Sequence, residues 1–287
     1  MSAEITSFHH IGLLSRDLDG MAAKYESLGF TLSPRSRHML AARPGARPTP
    51  SCTANQCVLF GGSYLELLGI VDESAPDQWQ VKPLRDGLQI INFDTDAPEA
   101  LRERLAAAGV AVSGVLGLER EVDTEDGAAT MRAKAMHVDP RTTPEGLLGF
   151  AQHLTRELVH QPRYLDHANG ALGLTGVTAV IDDADFDSVV DRYGRILDTA
   201  PLANGPRTVV ARKDIRMEFV RRSDATLALP AEPVPATTYL AATTIRVAEV
   251  EHARAIVEKS GTPTRSTDGG FLVSARDAYG TALRFVA

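Results

Sequence analysis

The chain has 287 residues, of which 44% are hydrophobic and 23% charged, and its formal net charge is −7. A chain of this length is expected to form two domains of ordinary size, and its negative charge argues against a nucleic acid partner because phosphates would be repelled. No apolar run approaches the roughly 20 residues needed to cross a bilayer, and the opening MSAEITSFHH lacks a signal-peptide pattern, so we expect a cytoplasmic protein without a membrane partner.

The first part of the chain predicts a strand, a helix and two further strands. Residues 8–14 (FHHIGLL) are a short apolar strand, and the amphipathic helix that follows ends at Gly29. Two more strands are predicted at 56–60 and 64–70. The segment 37–50 (RHMLAARPGARPTP) is too rich in proline for a strand, so we expect an irregular loop beside a cleft.

The same order of elements returns in the next part of the chain. A strand begins at Leu88, a helix follows to Gly109, and a strand is predicted at 110–114. The strands 130–138 and 146–154 close this second unit. Self-similarity of this kind indicates a fold built from repeated units.

Two further units follow a polar connection at 155–170, one from Leu174 and one from near Tyr239. Two units lie on each side of the connection. We therefore predict an N-terminal domain at 1–160 and a C-terminal domain at 161–287. The repeated order of strands and helices indicates the α+β class.

Four such units in two pairs resemble the vicinal oxygen chelate superfamily, which includes glyoxalase, bleomycin-resistance and extradiol dioxygenase proteins. The most specific parts are HHIGLLSRDLDGMAAKYESLGF at 9–30 and YLELLGI at 64–70. The resemblance implies four βαβββ modules that form two half-open-barrel, glyoxalase-like domains. It also implies a homodimer and one divalent metal ion, which is Fe, Mn, Ni or Zn, held by the first and fourth strands of a module.

His10 and Glu66 are the predicted metal ligands. His10 precedes Asp17 by seven residues, which is the register that the resemblance gives to the first ligand, whereas His9 is expected on the opposite face of the strand. Glu66 lies in an apolar run, where an unpaired carboxylate is costly to bury. The alternatives are an ordinary histidine and a simple salt bridge.

The third predicted ligand is His153. In the second unit, Ile90 occupies the place that matches His10 and cannot bind a metal. On the last strand of that unit, Gln152 aligns with Glu66 and His153 follows it, and a shift of one residue exchanges their faces. His153 is the better ligand chemically, and Gln152 remains the alternative ligand or a substrate contact.

Four other polar residues are predicted to lie near the same metal site, on the middle strands or on the loop beside them. Arg37 and His38 are predicted to be catalytic, since a cationic or titratable group over a bound substrate stabilises developing negative charge. Asn55 and His137, on the middle strands, are predicted substrate contacts. The alternative for each of the four is an ordinary surface residue.

The second half lacks a comparable ligand set. Gly176 and Ala242 occupy the places that match His10, while Glu218 stands alone. Arg284 fills the fourth-strand place of the last unit. This half is therefore interpreted as a structural or substrate-capping partner.

The connection between the two halves also contains histidines, which could suggest a second metal site. We interpret His160, His167 and Asn169 as solvated residues of the connection and not as a metal site.

The function predicted from these features is a metal-dependent enzyme that binds a small oxygen-rich molecule through two neighbouring oxygens. A glyoxalase-like isomerase or lyase is favoured because the predicted ligands lie in the first module pair. The alternatives are a ring-cleaving Fe(II) or Mn(II) dioxygenase and a non-catalytic binding protein of the bleomycin-resistance type.

Overall fold

A computed structural model describes residues 5–40, 47 and 49–287, without the side chain of residue 40. The described elements repeat one order four times. The first module contains β1 (Ile5–Ser15), α1 (Leu18–Ser27), β2 (Ser36–Leu40), β3 (Thr49–Leu59) and β4 (Tyr64–Ile70). The second contains β5 (Gly87–Thr95), α2 (Pro98–Ala107), β6 (Leu116–Thr124), β7 (Gly127–His137) and β8 (Leu147–His153), followed by the short helix α3 (Arg156–Val159).

The second half has the same composition. The third module contains β9 (Ala171–Ile181), α4 (Phe186–Leu197), β10 (Leu202–Asn204), β11 (Arg207–Arg212) and β12 (Ile215–Arg221), followed by α5 (Ala225–Ala228). The fourth contains β13 (Tyr239–Val247), α6 (Val250–Lys259), β14 (Thr264–Thr267), β15 (Gly270–Val273) and β16 (Ala282–Val286). No helix in the described part of the chain has the length and hydropathy to cross a membrane.

The strands form two sheets of the same topology. The first sheet has the order β2-β3-β4-β1-β5-β8-β7-β6, and the second has β10-β11-β12-β9-β13-β16-β15-β14. In each sheet the first and fourth strands of a module pair in parallel, and the first strands of the two modules pair antiparallel at the centre. The α+β fold with four βαβββ modules in two half-open barrels is therefore confirmed.

A single hydrophobic core lies between the helices and the outer faces of both sheets. On α1, Leu18, Met21 and Tyr25 are buried, which is the face that their helical spacing predicts. Phe30 of the first half stacks on Phe285 of the second, with ring centroids 6.1 Å apart. The two halves are thus packed against each other through one face of each sheet, and the opposite face of the second sheet is partly covered by α5, whose Ala225 and Ala228 cluster with Val180 and Val220.

Two elements differ from the sequence prediction. Residues 36–40 form β2, and β3 begins at residue 49, although 37–50 was expected to be irregular; residues 41–46 and 48 lie outside the described residues. Residues 110–114 form no strand and contribute only one bridge, Val112 to Val138. The third strand of the second module is instead β6, which pairs with β7 through a hairpin whose Gly127 has φ of 106°. Asp126-Gly127 is the turn signal that marks such a hairpin.

A buried ion pair joins the two halves. Arg192 of α4 and Glu145, which precedes β8, are 8% and 3% exposed and form a salt bridge. Arg192 also donates to the Thr142 carbonyl, and the Tyr193 hydroxyl donates to Glu145 Oε1 at 3.0 Å. Because both charges are paired and hydrogen-bonded, the contact is expected to be costly to break.

We expect Glu145→Gln to lower the free energy of unfolding by about 3 kcal/mol, because Arg192 keeps its charge in a buried position without a carboxylate. Urea unfolding of wild type and variant measures this difference. The matched control is Glu119→Gln, which removes an exposed partner of Arg132 at 2.9 Å and should change stability little. Equal effects of the two substitutions would contradict the prediction.

Candidate functional site

The concave face of the first sheet, here called the cup, carries two rows of paired residues. Residues paired across neighbouring strands point to the same face of a sheet. One row contains Leu59, Tyr64, His10, Asn92, Gly149 and His137, and the next contains Cys57, Glu66, Gly12, Ile90 and Leu147. The polar side chains of these rows are therefore placed on the same face as the apolar Leu59, Cys57, Ile90 and Leu147.

Glu66 lies on β4 near the centre of the cup and is 7% exposed. Its Oε1 accepts a hydrogen bond of 2.6 Å from Asn55 Nδ2. His10 Nε2 lies 4.0 Å from Oε2, and His38 Nε2 lies 3.9 Å from Oε1. Burial raises the pKa of the Glu66 carboxyl, and the Asn55 hydrogen bond and the positive charge of Arg120 act against that increase. The carboxylate is therefore flanked by two imidazoles and an amide.

Both imidazoles beside Glu66 are held in the neutral form. Burial lowers the pKa of His10 to about 3, with smaller contributions from His137 and Arg120. Burial and the charge of Arg120 lower the pKa of His38 to about 4. A neutral imidazole has one nitrogen lone pair available, which is the form that binds a metal ion.

Hydrogen bonds orient the two rings. His38 Nδ1 lies 2.9 Å from Thr53 Oγ1, so its Nε2 is directed towards Glu66. His10 Nδ1 lies 2.8 Å from His9 Nδ1, and its Nε2 lies 2.9 Å from Asn92 Nδ2. An amide N–H donates, so this contact places the lone pair of His10 on Nε2 and its proton on Nδ1, beside His9.

His9 lies in the cup, although its expected position was the opposite face of β1. The register between β1 and β5 shifts between Phe8 and His10, which gives β1 one extra residue at His9. A β-bulge of this kind turns consecutive side chains towards the same side. Both histidines accordingly pack on Tyr64, with ring centroids 5.5 and 4.7 Å away. Strict alternation was therefore the wrong assumption for this strand.

His153 faces the cup but packs among other histidines. Its ring lies 4.3 Å from His9, 5.6 Å from His160 and 6.1 Å from Tyr64. Burial lowers its pKa to about 3, and the nearby His160 and Arg156 contribute. No hydrogen bond or ion pair joins His153 to Glu66 within the described chain, and His38 occupies the position beside that carboxylate.

The histidines of the connection are buried, so their interpretation as solvated residues was wrong. His160 and His167 are 8% and 4% exposed, and Asn169 is fully buried. His160 Nδ1 lies 2.6 Å from the Phe60 carbonyl, and His167 Nε2 lies 3.0 Å from the Leu59 carbonyl. A carbonyl only accepts, so each of these nitrogens carries the proton. These two hydrogen bonds attach the connection to the C-terminal end of β3.

The structure brings two of the other predicted residues to the cup. Asn55 contacts Glu66 as described, and His137 lies at the exposed rim, on the same row as Asn92. Gly149 separates these two side chains, and a Cβ added there would lie 2.3 Å from Asn92 Oδ1.

Arg37 and Gln152 are not brought to the cup. Arg37 donates to the Ser51 carbonyl and pairs with Asp72 at 3.1 Å. Its partner on β3 is Ala54, which belongs to the hydrophobic core on the other face of the sheet. Gln152 donates to the Asp96 carbonyl at 3.0 Å. Of the adjacent pair on β8, therefore, the second residue, His153, faces the cup.

Arg120 was not among the residues predicted from the sequence. This residue lies on β6, pairs with Met131 on β7 and is only partly exposed. Met131 packs in the cup against Cys57 and Leu59, so Arg120 projects from the same face of the hairpin. The Asp126-Gly127 turn signal would have revealed β6 and with it this arginine.

The equivalent carboxylate of the second half has different partners. Glu218 pairs with Thr178 on β9 in the register by which Glu66 pairs with Gly12 on β1. Glu218 lies 2.7 Å from Arg216 Nε and 3.2 Å from Arg207 Nε. Its charge is therefore neutralised within the protein, whereas Glu66 has no contact with lysine or arginine among the described residues.

The residue types around Glu66 fit a divalent metal ion. Two neutral imidazoles and one carboxylate are a common ligand set for Fe, Mn, Ni and Zn. The donor atoms are not in a ligating arrangement, since no group of three such side chains in the described chain surrounds one point. The Asn55 amide donates to Glu66 Oε1, and the Asn92 amide donates to His10 Nε2. A metal ion can bind these two atoms only after both amides rotate away.

A family model described as a glyoxalase-like domain matches residues 8–197, more than half of the chain. No curated protein gives a sequence match. A hypothetical protein from Staphylococcus aureus has a similar structure, with a TM-score of 0.65 and 15% identity, over 97% of this chain and 98% of that one.

Two further solved structures have the same fold. A mutant of 4-hydroxymandelate synthase from Streptomyces coelicolor has a TM-score of 0.60 and 12% identity, over 99% of this chain and 92% of that one. A xylose isomerase-like TIM barrel/4-hydroxyphenylpyruvate dioxygenase fusion protein has a TM-score of 0.58 and 10% identity, over 92% of this chain and 40% of that one. At these identities the likeness shows the fold alone. The match over residues 8–197 shows the family: this chain belongs to the glyoxalase-like domain family of the vicinal oxygen chelate superfamily.

Proposed function

We propose that this protein is an enzyme whose cup binds one divalent metal ion through His10, His38 and Glu66. Its substrate is a small organic molecule that binds the ion through two neighbouring oxygens. The proposal keeps two of the ligands predicted from sequence. It assigns the third place to His38, because His38 lies beside Glu66 and His153 packs on His9 instead.

The observation that carries the proposal is the environment of Glu66. A buried carboxylate without a cationic partner is costly, and here its neighbours are two neutral imidazoles within 4.0 and 3.9 Å. Glu218, at the same place in the repeat, pairs with two arginines. The second half thus neutralises its carboxylate with two arginines, whereas no described lysine or arginine contacts Glu66 in the first half. A bound cation supplies the missing charge.

The protein's own groups then prepare the site for chemistry. Thr53 holds the His38 ring, and His9 fixes the proton of His10 on Nδ1. Cys57, Leu59 and Met131 form an apolar wall, which excludes water and strengthens electrostatic interactions inside the cup. The metal ion, when bound, supplies Lewis acidity to the chelated oxygens.

A glyoxalase-like isomerase or lyase reaction remains the favoured assignment. A ring-cleaving dioxygenase is the second candidate, because two histidines and one carboxylate are also the ligand set of non-haem Fe(II) oxygenases. Two proteins of similar fold carry the names 4-hydroxymandelate synthase and 4-hydroxyphenylpyruvate dioxygenase. A protein that sequesters its ligand without turnover is the outcome expected if no metal binds.

We expect wild-type protein loaded with Fe, Mn, Ni or Zn to hold about one equivalent of metal, measured by elemental analysis after gel filtration. Glu66→Gln and His38→Asn should each weaken binding by at least about tenfold, because each removes one ligand. Competition with a chromogenic chelator measures the affinity.

Two control variants sharpen this test. Glu218→Gln changes the equivalent carboxylate of the second half and should retain the metal. His153→Asn should retain it as well, because His153 lies outside the proposed ligand set. Loss of metal in His153→Asn with retention in His38→Asn would favour the ligand set predicted from sequence. A wild type that binds none of the four metals would refute the chelate mechanism.

We also expect the metal-free protein to lose stability as the pH falls below about 6.5. The pKa values of His10 and His38, about 3 and about 4, lie below the unfolded value, so the unfolded chain binds more protons in this window. Between pH 7 and 5.5 each histidine should cost roughly 1 kcal/mol. Urea unfolding of wild type, His10→Asn and His38→Asn at both pH values measures it.

Each of these two substitutions should flatten the pH dependence by its own share. The control is His252→Asn, which replaces an exposed histidine on α6 and should leave the dependence unchanged. An identical pH dependence in wild type and all three variants would show that these imidazoles are not kept neutral by the fold.

A further inference from the structure

Resting on the proposed metal site, we infer that the substrate is an organic anion and that Arg120 binds its carboxylate at the mouth of the cup. This assigns a substrate class and a specificity-determining residue to the site. Arg120 faces the cup, has no acceptor among the described residues, and lies near the charged groups of the site.

The hairpin of β6 and β7 directs Arg120 into the cup. Arg120 and Met131 are paired across the hairpin, and paired residues share a face. Met131 is 7% exposed and packs with Cys57 and Leu59 on the concave side. Arg120 remains partly exposed, so its guanidinium can meet a ligand that enters the cup.

No group in the described part of the chain accepts a hydrogen bond from Arg120 or forms a salt bridge with it. Neighbouring cationic residues are paired: Arg132 lies 2.9 Å from Glu119, Lys134 lies 2.5 Å from Glu99, and Arg156 lies 2.8 Å from Asp94. An arginine whose five N–H donors have no protein acceptor is suited to an external one.

Electrostatics place this cation close to the proposed ligands. Burial is the main influence and raises the pKa of Glu66 while it lowers the pKa values of His10 and His38; the positive charge of Arg120 makes a smaller, downward contribution to all three. An imidazole that binds a metal ion is neutral, so a cup that holds a divalent ion retains an excess of positive charge after Glu66 is counted. A bound anion removes this excess.

The chemistry of the guanidinium favours an oxyanion that accepts two parallel hydrogen bonds, and we take the simplest such group, a carboxylate. A planar guanidinium matches the two oxygens of a carboxylate through parallel hydrogen bonds. The metal ion binds the two neighbouring oxygens, so the substrate is a small molecule that carries these oxygens and also a carboxylate. A lysine at this position would supply the positive charge but not the two parallel N–H donors.

Binding to zinc-loaded protein tests the inference, because zinc has no redox chemistry of its own. The probes are catechol and 3,4-dihydroxybenzoate, which offer the same neighbouring oxygens and differ by one carboxylate. In Arg120→Gln we expect the affinity for 3,4-dihydroxybenzoate to fall by at least about tenfold, through loss of a charge-assisted hydrogen bond. Affinity for catechol should stay unchanged, and both are measured by calorimetry.

Three further measurements separate recognition from a structural role. Zinc should bind Arg120→Gln at least as tightly as wild type, because a like charge has been removed, whereas a damaged cup would bind both zinc and anion more weakly. Arg120→Lys should recover part of the lost affinity. Arg132→Gln, on the outer face of the same hairpin, should match wild type.

Equal loss of both probes, or loss of neither, in zinc-loaded Arg120→Gln would overturn the inference and leave the metal site intact. A wild type that binds no zinc or other metal would instead refute the proposed function. The metal-free proteins are then titrated with 3,4-dihydroxybenzoate: weaker binding by Arg120→Gln would support the anion site by itself, and identical binding would overturn it.

Discussion

The buried carboxylate of Glu66 is the constraint on which the cup depends. It lies on a strand of apolar neighbours, where water cannot solvate its charge. The protein answers with the Asn55 amide, two imidazoles and the more distant charge of Arg120. None of these is a full counter-charge in contact with it. The same burial keeps the two imidazoles neutral, which is the form of histidine that binds metal ions.

The two halves place a carboxylate at the same position of the sheet but surround it with different side chains. The backbone register that presents Glu66 and Glu218 is the same. In the second half, Arg207 and Arg216 form ion pairs with Glu218. In the first half, no lysine or arginine among the described residues contacts Glu66, and Arg120 on the β6–β7 hairpin has no acceptor among them. The same backbone register therefore presents a carboxylate in two different side-chain environments.

Packing between the halves keeps the cup in shape. The helices and the outer faces of both sheets share one hydrophobic core, and the Arg192–Glu145 pair joins α4 to the segment before β8. The connection is also fixed, because His160 and His167 bind carbonyls at the end of β3. The end of β3 is thus attached to the connection, and the segment before β8 is attached to the second half.

The sequence by itself predicted the four modules and the fold class, because hydrophobic periodicity is a local signal. It also singled out Glu66 as a carboxylate in an apolar strand, and the family resemblance singled out His10; the structure places the two side chains 4.0 Å apart. Tertiary structure decided what local signals cannot encode. A bulge in β1 brought His9 into the cup against strict alternation, and long-range pairing placed His38 rather than His153 beside Glu66. Arg120 lies on a hairpin that combines polar and apolar residues, and the local signal of this hairpin was its turn. Proximity between residues far apart in the chain depends on strand order, curvature and register, and these are set by the packing of the whole molecule.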